Sequence, residues 1–423
     1  MILQPWLVNN RWEQDDPKLD QLRSARVQLP HTARLANTID LDPPGILIVR
    51  GPRQTGKSTF LRQFAAKSLA QGAQPDKLAI FDAERSDSWQ DLLFELESFL
   101  KPRLNGTIVL VDEVTSVRQW WKALKILADD GLARNALFVC TGSNAMDLAK
   151  GADLLPGRRG KRHPVDYELL PVRYYDVARE LKLDEFLLTG GMPWAIGEYL
   201  EHGYIPSFVY ALYSAWIEGA FIRSGHTRSD ISPLLHYLAK RTGSPTSVIS
   251  MARDCGIGSN STAEALLTVL ESNYITLASH WSEPGSSVSA PRKNRKFFPA
   301  DPFIFHLFND FGKGWDQTWQ LSSQALADPV IKSALVEALV ASELRHFNTM
   351  TPLRYFLGKK EIDFIGNEFI EVKYQRTVSI QEFFWVKKII PPKAVFTVIT
   401  QQTRSRDENI RLIPLEDWLL EKG

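Results

Sequence analysis

The sequence predicts an α/β protein: a parallel-sheet core first, a helical stretch next, and a second, smaller α/β unit at the end. Three observations carry this. Short apolar runs at 45–50, 79–84, 108–111 and 136–140 alternate with helical patterns. Strands buried on both faces need such runs, and helices between them imply right-handed crossovers in a parallel sheet. A glycine-rich turn joins the first run directly to a helix. Near the end, "LRYFL", "EIDFI" and "FIEVKY" read as strands between two helical stretches, with "AVFTVIT" and "IRLIPL" beyond.

Composition bounds the rest. At 423 residues the chain exceeds one ordinary core, so two to four domains are expected. The boundaries fall at 1–165, 166–228, 229–300 and 301–423. With 44% hydrophobic and 23% charged residues the composition is globular, and a net charge of +1 gives no global pull toward polyanions. No apolar run approaches bilayer length and the N-terminus lacks a signal peptide's order, so a cytoplasmic location is expected. Cys140 and Cys255 have no zinc spacing, and Cys140 reads as a buried thiol in a strand.

In the first element, the strand Gly45–Arg50 runs into "GPRQTGKS", Gly51 to Ser58, which fits G-x-x-x-x-G-K-[ST] in full. Glycines let the backbone wrap a phosphate with its N–H groups turned inward. The expected nucleotide contacts are Gly51, Thr55, Gly56, Lys57, Ser58 and Thr59. Lys57 is placed on the β- and γ-phosphates, and Ser58 on Mg²⁺. Phe60, Leu61, Phe64 and Leu69 recur at helical spacing just after, which is the context the motif needs.

A second strand, "GTIVLVDEV", ends in Asp112 and Glu113. Asp112 suits the Mg²⁺ shell, and Glu113 the orientation or deprotonation of an attacking water. A third strand ends in "TGSNA". There Ser143 or Asn144 is either a γ-phosphate contact or an ordinary strand-end turn. The loop "AKGADLLPGRRGKRHP" carries Arg158 and Arg159. It reads three ways: as an arginine finger reaching a neighbouring copy's nucleotide, as a grip on nucleic-acid phosphate, or as a solvated loop. The first would make the chain a homo-oligomer.

The segment 166–228 reads as helical and aromatic, with Gly190, Gly191 and Pro193 as a turn. Beyond it, helices and a strand follow in the order of a winged helix. Its second-to-last element, "STAEALLTVLESN", has no lysine or arginine, so major-groove binding and protein contact both stay open. "PRKNRKFF" (Arg292, Lys293, Arg295, Lys296) suits a loop gripping phosphates, or solvent.

In the last unit the register of one hairpin decides whether a site exists. A three-residue turn at Gly366–Glu368 sets Phe364 opposite Ile370, Ile362 opposite Val372, Asp363 opposite Glu371 and Glu361 opposite Lys373. Only this register gives one apolar and one charged face. Two close carboxylates coexist readily around a divalent cation, and a lysine beside them can polarise a water. Glu337, at the rim of the apolar arc of the preceding helix, is placed to reach the same ion. The alternative is a cross-strand Glu361–Lys373 pair beside solvated acids.

Together "RGPRQTGKST", "VDEV", "TGSNA", "LPGRRG", "GGMP" and "EIDF…EVKY" resemble a prokaryotic family of AAA+-like P-loop ATPases. That family carries a C-terminal winged helix and a PD-(D/E)xK domain, the restriction-endonuclease-like αβββαβ fold. The resemblance implies metal positions at Asp363 and Glu371, and the lysine position at Lys373, followed by Gln375. "LVEALVASELR" is similar to the first helix of archaeal Holliday-junction resolvases, with Glu337 at their acidic position. Ile362 departs from the family's proline before the first acid. The implied cofactors are ATP with Mg²⁺ in the first unit and Mg²⁺ or Mn²⁺ in the last. The expected function is ATP hydrolysis coupled to DNA binding, with metal-dependent cleavage by the last domain. The alternative is an ATP switch whose nuclease-like domain only binds DNA or protein.

Overall fold

The structure, a computed structural model, describes residues 2–8, 16–17, 20, 24, 28–103, 105–222, 225–286, 288–290, 293–347 and 352–422. The chain divides into two compact units, Met1–Pro171 and Val172–Gly423.

The first unit is built on a six-stranded sheet of β1 (Ile2–Leu3), β2 (Gly45–Arg50), β3 (Leu78–Asp82), β4 (Thr107–Asp112), β5 (Ala136–Thr141) and β6 (Asp166–Glu168). Their order is β1-β3-β4-β5-β2-β6. Only β1 runs antiparallel to its neighbour; the other five strands are parallel. Alternate residues of β2 serve opposite faces. Ile46 and Ile48 join the core under the helices Trp89–Leu100 and Trp121–Asp129. Leu47 and Val49 join Phe60, Leu61 and Phe64 of the helix Lys57–Ala70. With both faces covered, β2 must be apolar throughout, which is why its run is legible. Cys140 is fully buried in β5, its thiol pushed up to about 12 by burial.

Asp166–Glu168, expected to open the helical stretch, is instead the sheet's edge strand. It lies parallel to β2, with Ile48 donating to the Val165 carbonyl and Leu169 to that of Arg50.

The second unit begins with helices, among them Pro193–His202 and Ser207–Ile222. The helices Arg228–Lys240, Val248–Asp254 and Asn260–Ser272 follow, then the antiparallel pair β7 (Thr276–Trp281) and β8 (Arg295–Pro299). This pair continues into β9 (Leu353–Leu357) and β10 (Glu361–Ile362), in the order β10-β9-β7-β8. A five-stranded sheet holds β11 (Phe364–Ile365), β12 (Phe369–Val372), β13 (Phe396–Thr400), β14 (Ser405–Asp407) and β15 (Ile410–Pro414), ordered β11-β12-β13-β15-β14. The expected boundary at residue 300 therefore runs through a continuous sheet, because β9 pairs with β7. The stretch 361–365 belongs to both sheets and bends at Asp363. "IQEFFWVKK" forms a 3-10 helix rather than an α-helix.

Candidate functional site

The phosphate loop is positioned by three backbone demands. Gly51 has no room for a side chain, since a Cβ there would lie 2.1 Å from the Leu169 carbonyl oxygen. Gly56 has φ +94°, which favours glycine. Thr55 ties the loop on itself through Oγ1 to the Pro52 carbonyl at 2.9 Å, and its own carbonyl lies 2.8 Å from Nε2 of His31. Gly51, Thr55, Gly56, Lys57, Ser58 and Thr59 thus sit on one loop and the first turn of its helix, as expected.

Lys57 is buried, and its Nζ donates to the carbonyls of Gly51 (3.1 Å) and Pro52 (2.6 Å). Among the described residues no carboxylate forms a salt bridge with it. Burial lowers its affinity for a proton to about 8, against the opposing pull of Glu113 and Asp112. Those two acids end β4. Asp112 Oδ1 accepts from Thr141 Oγ1 at 2.6 Å and from the Glu113 amide at 3.1 Å. Glu113 has φ +49°, a strained region for a side-chain-bearing residue, and such residues concentrate at functional sites. Its Oε2 accepts from the amide (3.0 Å) and hydroxyl (2.9 Å) of Ser143. Lys57 therefore lies within the fields of two acids, with Ser58 next to it at the start of the helix. This donor set fits a nucleotide with Mg²⁺: Ser58 and Asp112 would hold the ion.

Other expected nucleotide contacts are engaged elsewhere. Asn144 is the N-cap of the helix Ala145–Asp153, its side chain accepting from the Asp147 amide at 3.1 Å. Arg158 clasps Asp129 at 2.6 Å. Arg159 bonds Asp166 at 2.8 Å and the carbonyls of Ile46 and Val165, which ties β6 to β2. Arg162 is buried against carbonyls at 40–43. The basic loop is an internal clasp of the sheet edge.

In the second unit the expected three-residue turn forms: Phe364 faces Ile370, Ile365 faces Phe369, and the Gly366 amide donates to Glu368. Before the turn the geometry differs. The bend at Asp363 sends Glu361 and Ile362 to β9, opposite Leu357 and Phe356, so no Glu361–Lys373 pair forms. Asp363 turns to β12 and accepts from the Val372 amide at 2.8 Å.

The cation among the acids is one the motif did not name. Lys296 of β8 is 1% exposed. Its Nζ lies 2.7 Å from Glu361, 2.7 Å from Asp363 and 3.0 Å from Glu337. Burial pulls its hold on the proton down; Asp363, Glu337 and Glu361 outweigh that and hold it well above its usual range. Glu337 is raised to about 8 and Glu371 well above its ordinary value, both chiefly by burial and then by Asp363. Oε2 of Glu371 is buried without a hydrogen-bond partner. Glu337, Asp363 and Glu371 are thus drawn into one electrostatic group. Among the described residues Lys373 forms no salt bridge; its amide donates to Ile399 in the β12–β13 ladder. Among the described residues no group of three or more acidic, histidine or cysteine side chains is arranged to hold a metal ion.

Nothing in the basic run "PRKNRKFF" sets Lys296 apart from its neighbours until the strand forms. Lys296 shares a strand face with Phe298, which packs on Phe364 at 5.6 Å beside Asp363. A lysine on that face needs buried acids. Arg292 of the same basic stretch lies outside the described residues.

Comparison with known proteins fits the first unit. Residues 43–178 match the AAA domain family. Residues 180–313 match a domain family of unknown function. No curated protein matches the chain. Solved structures with similar folds include a Walker-type ATPase of Pyrococcus abyssi, 18% identical, covering 66% of this chain and 94% of its own, with a TM-score of 0.42. The Aeropyrum pernix ORC2 protein, in ADPNP–ADP complexes, is 13% identical, covering 72% and 95%, at TM-score 0.39. The AAA match spans the stretch that holds the loop Gly51–Ser58 and the acids Asp112 and Glu113. Among the described residues no helix is long and apolar enough to cross a membrane.

Proposed function

We propose that the chain is an Mg²⁺-dependent ATPase whose turnover governs DNA binding by its second unit. The observation that carries the first half is the buried Lys57, held by the carbonyls of its own loop and within the fields of Asp112 and Glu113. Those carbonyls are replaced by phosphate oxygens when nucleotide enters. Mg²⁺, when bound, neutralises phosphate charge. Ser58 and Asp112 would hold it, and Thr141 orients Asp112 through the 2.6 Å bond. Glu113 must let go of Ser143 to receive the proton of the attacking water.

The DNA half rests on three helices followed by the β7–β8 pair, the order of a winged helix. Asn260, Ser261, Glu264, Ala265 and Thr268 form the exposed face of the third helix. Glu264 is paired with Arg295 at 2.6 Å, so phosphate contact falls to the loop carrying exposed Lys293. Fluorescence anisotropy with labelled duplex and single strands, with and without ATP, tests this. Binding that weakens with salt and depends on nucleotide supports it; no binding at low salt in either state contradicts it.

For the PD-(D/E)xK-like lobe the reading favoured is a binding lobe that does not cut. Lys296 amid the acids supports it. Incubating plasmid and branched DNA with Mg²⁺ or Mn²⁺ decides: cleavage that disappears in Asp363→Asn restores the nuclease reading.

A further inference from the structure

We propose that the ammonium of Lys296 is the resident cation of the Glu337–Glu361–Asp363–Glu371 cluster, a built-in autoinhibitory contact that keeps divalent metal out. The contact rests on the second unit alone, and failure of the ATPase reading would leave it untouched.

The geometry is that of a cation and its ligands. Three carboxylates from three elements converge on one nitrogen: Glu337 from the helix Pro329–Phe347, Glu361 from β10, and Asp363 from the bend. Asp363 and Glu337 accept charge-assisted hydrogen bonds from it at 2.7 and 3.0 Å, and Glu361 adds an ion-pair contact at 2.7 Å without hydrogen-bond geometry. A magnesium ion drawing on the same oxygens would sit about 2.0–2.1 Å from them, in the volume the ammonium fills. The two cations cannot share it.

The lysine is also fixed. Lys296 lies inside a paired strand, opposite Ser279 of β7, and its Nζ stands 5.5 Å from the centre of the Tyr355 ring. Gly243 completes the pocket wall: it has φ +74°, its amide donates to the Phe297 carbonyl, and a Cβ there would lie 2.4 Å from Glu337 Oε2. Removing the ammonium without metal would leave buried carboxylates uncompensated, a costly arrangement. Because Lys296 is buried within the strand, freeing the acids calls for a shift of β8 and not only of the side chain. On the adjacent position of β8, Arg295 reaches Glu264 of the helix Asn260–Ser272. Neighbouring strand residues thus contact the helix on one side and the carboxylates on the other, so a partner that displaces β8 would unmask the cluster.

The test is Mn²⁺ binding by the full, nucleotide-free chain, read by electron paramagnetic resonance and by the Mn²⁺-induced shift in melting temperature. Wild type should bind no stoichiometric ion at the cluster. Lys296→Ala should bind one per chain, at least about tenfold more tightly than wild type, and lose it in the Lys296→Ala/Asp363→Asn double variant. Where Lys296→Ala does not fold alone, Mn²⁺ should restore its circular dichroism and K⁺ at matched ionic strength should not. The proposal is overturned by a wild-type ion that Asp363→Asn removes, by a folded Lys296→Ala that binds none, or by an unfolded one that Mn²⁺ fails to rescue.

Discussion

Two buried lysines sit near paired acids in this molecule, and they differ in what they touch. Lys57 donates to two neutral carbonyls and leaves Asp112 and Glu113 to Thr141 and Ser143. Lys296 donates hydrogen bonds to the carboxylates of Asp363 and Glu337 and lies 2.7 Å from that of Glu361. The first site is left short of an anion and a cation together, which is what Mg²⁺ with ATP supplies. The second already holds a cation among its acids. A lysine near acids is therefore not a signature of catalysis by itself; its direct partners tell whether a site awaits a ligand or already holds its counterion.

The largest expected effect breaks the open site. Lys57→Ala should lower ATP turnover at least about a hundredfold and abolish nucleotide binding, checked by a coupled phosphate assay and calorimetry. Retained turnover would mean the loop lysine is not the phosphate contact. Next, Glu113→Gln should keep nucleotide affinity while turnover falls by about two to four orders of magnitude; equal losses in binding would make Glu113 a structural acid.

Gly243→Ala probes the closed site at its wall. The new methyl would meet Glu337 in a left-handed backbone conformation, so a loss of about 1–3 kcal/mol in urea unfolding is expected. A neutral outcome would show that the Glu337 carboxylate is free to move.

The smallest effect separates the lysines by pH. Lys57 holds its proton to about pH 8 when folded and to 10.5 when unfolded. Between those values the unfolded chain binds more protons, so Lys57 makes stability rise with pH. Lys296 holds its proton beyond 10.5, so its contribution is complete below that value and lost only as pH rises through its raised folded value. Urea unfolding of Lys57→Met across this range should lack the rise seen in wild type.

The first site was legible because its chemistry is contiguous. Gly51 to Ser58 and Asp112–Glu113 each lie within a few residues, and the strands that deliver them are apolar on both faces. The contacts that tune it were not: His31 meets Thr55 from 24 residues away, and Ser143 meets Glu113 from 30. Asn144 and Arg159 look like ligands in a string of letters; one caps a helix and the other staples an edge strand. In the second site the turn was legible from the apolar face of Ile362, Phe364, Ile370 and Val372 set against the acids. The bend at Asp363 was not, since it arises where one stretch serves two sheets. Lys296, 41 and 67 residues from Glu337 and Asp363, was hidden in a basic run that reads equally well as a phosphate grip.

The most direct test of the contrast is the number of Mn²⁺ ions bound per wild-type chain, counted by electron paramagnetic resonance with and without a non-hydrolysable ATP analogue. The account predicts none without nucleotide and one with it, lost in Lys57→Ala. An ion bound without nucleotide, or a second ion with it, removed by Asp363→Asn, would contradict the account.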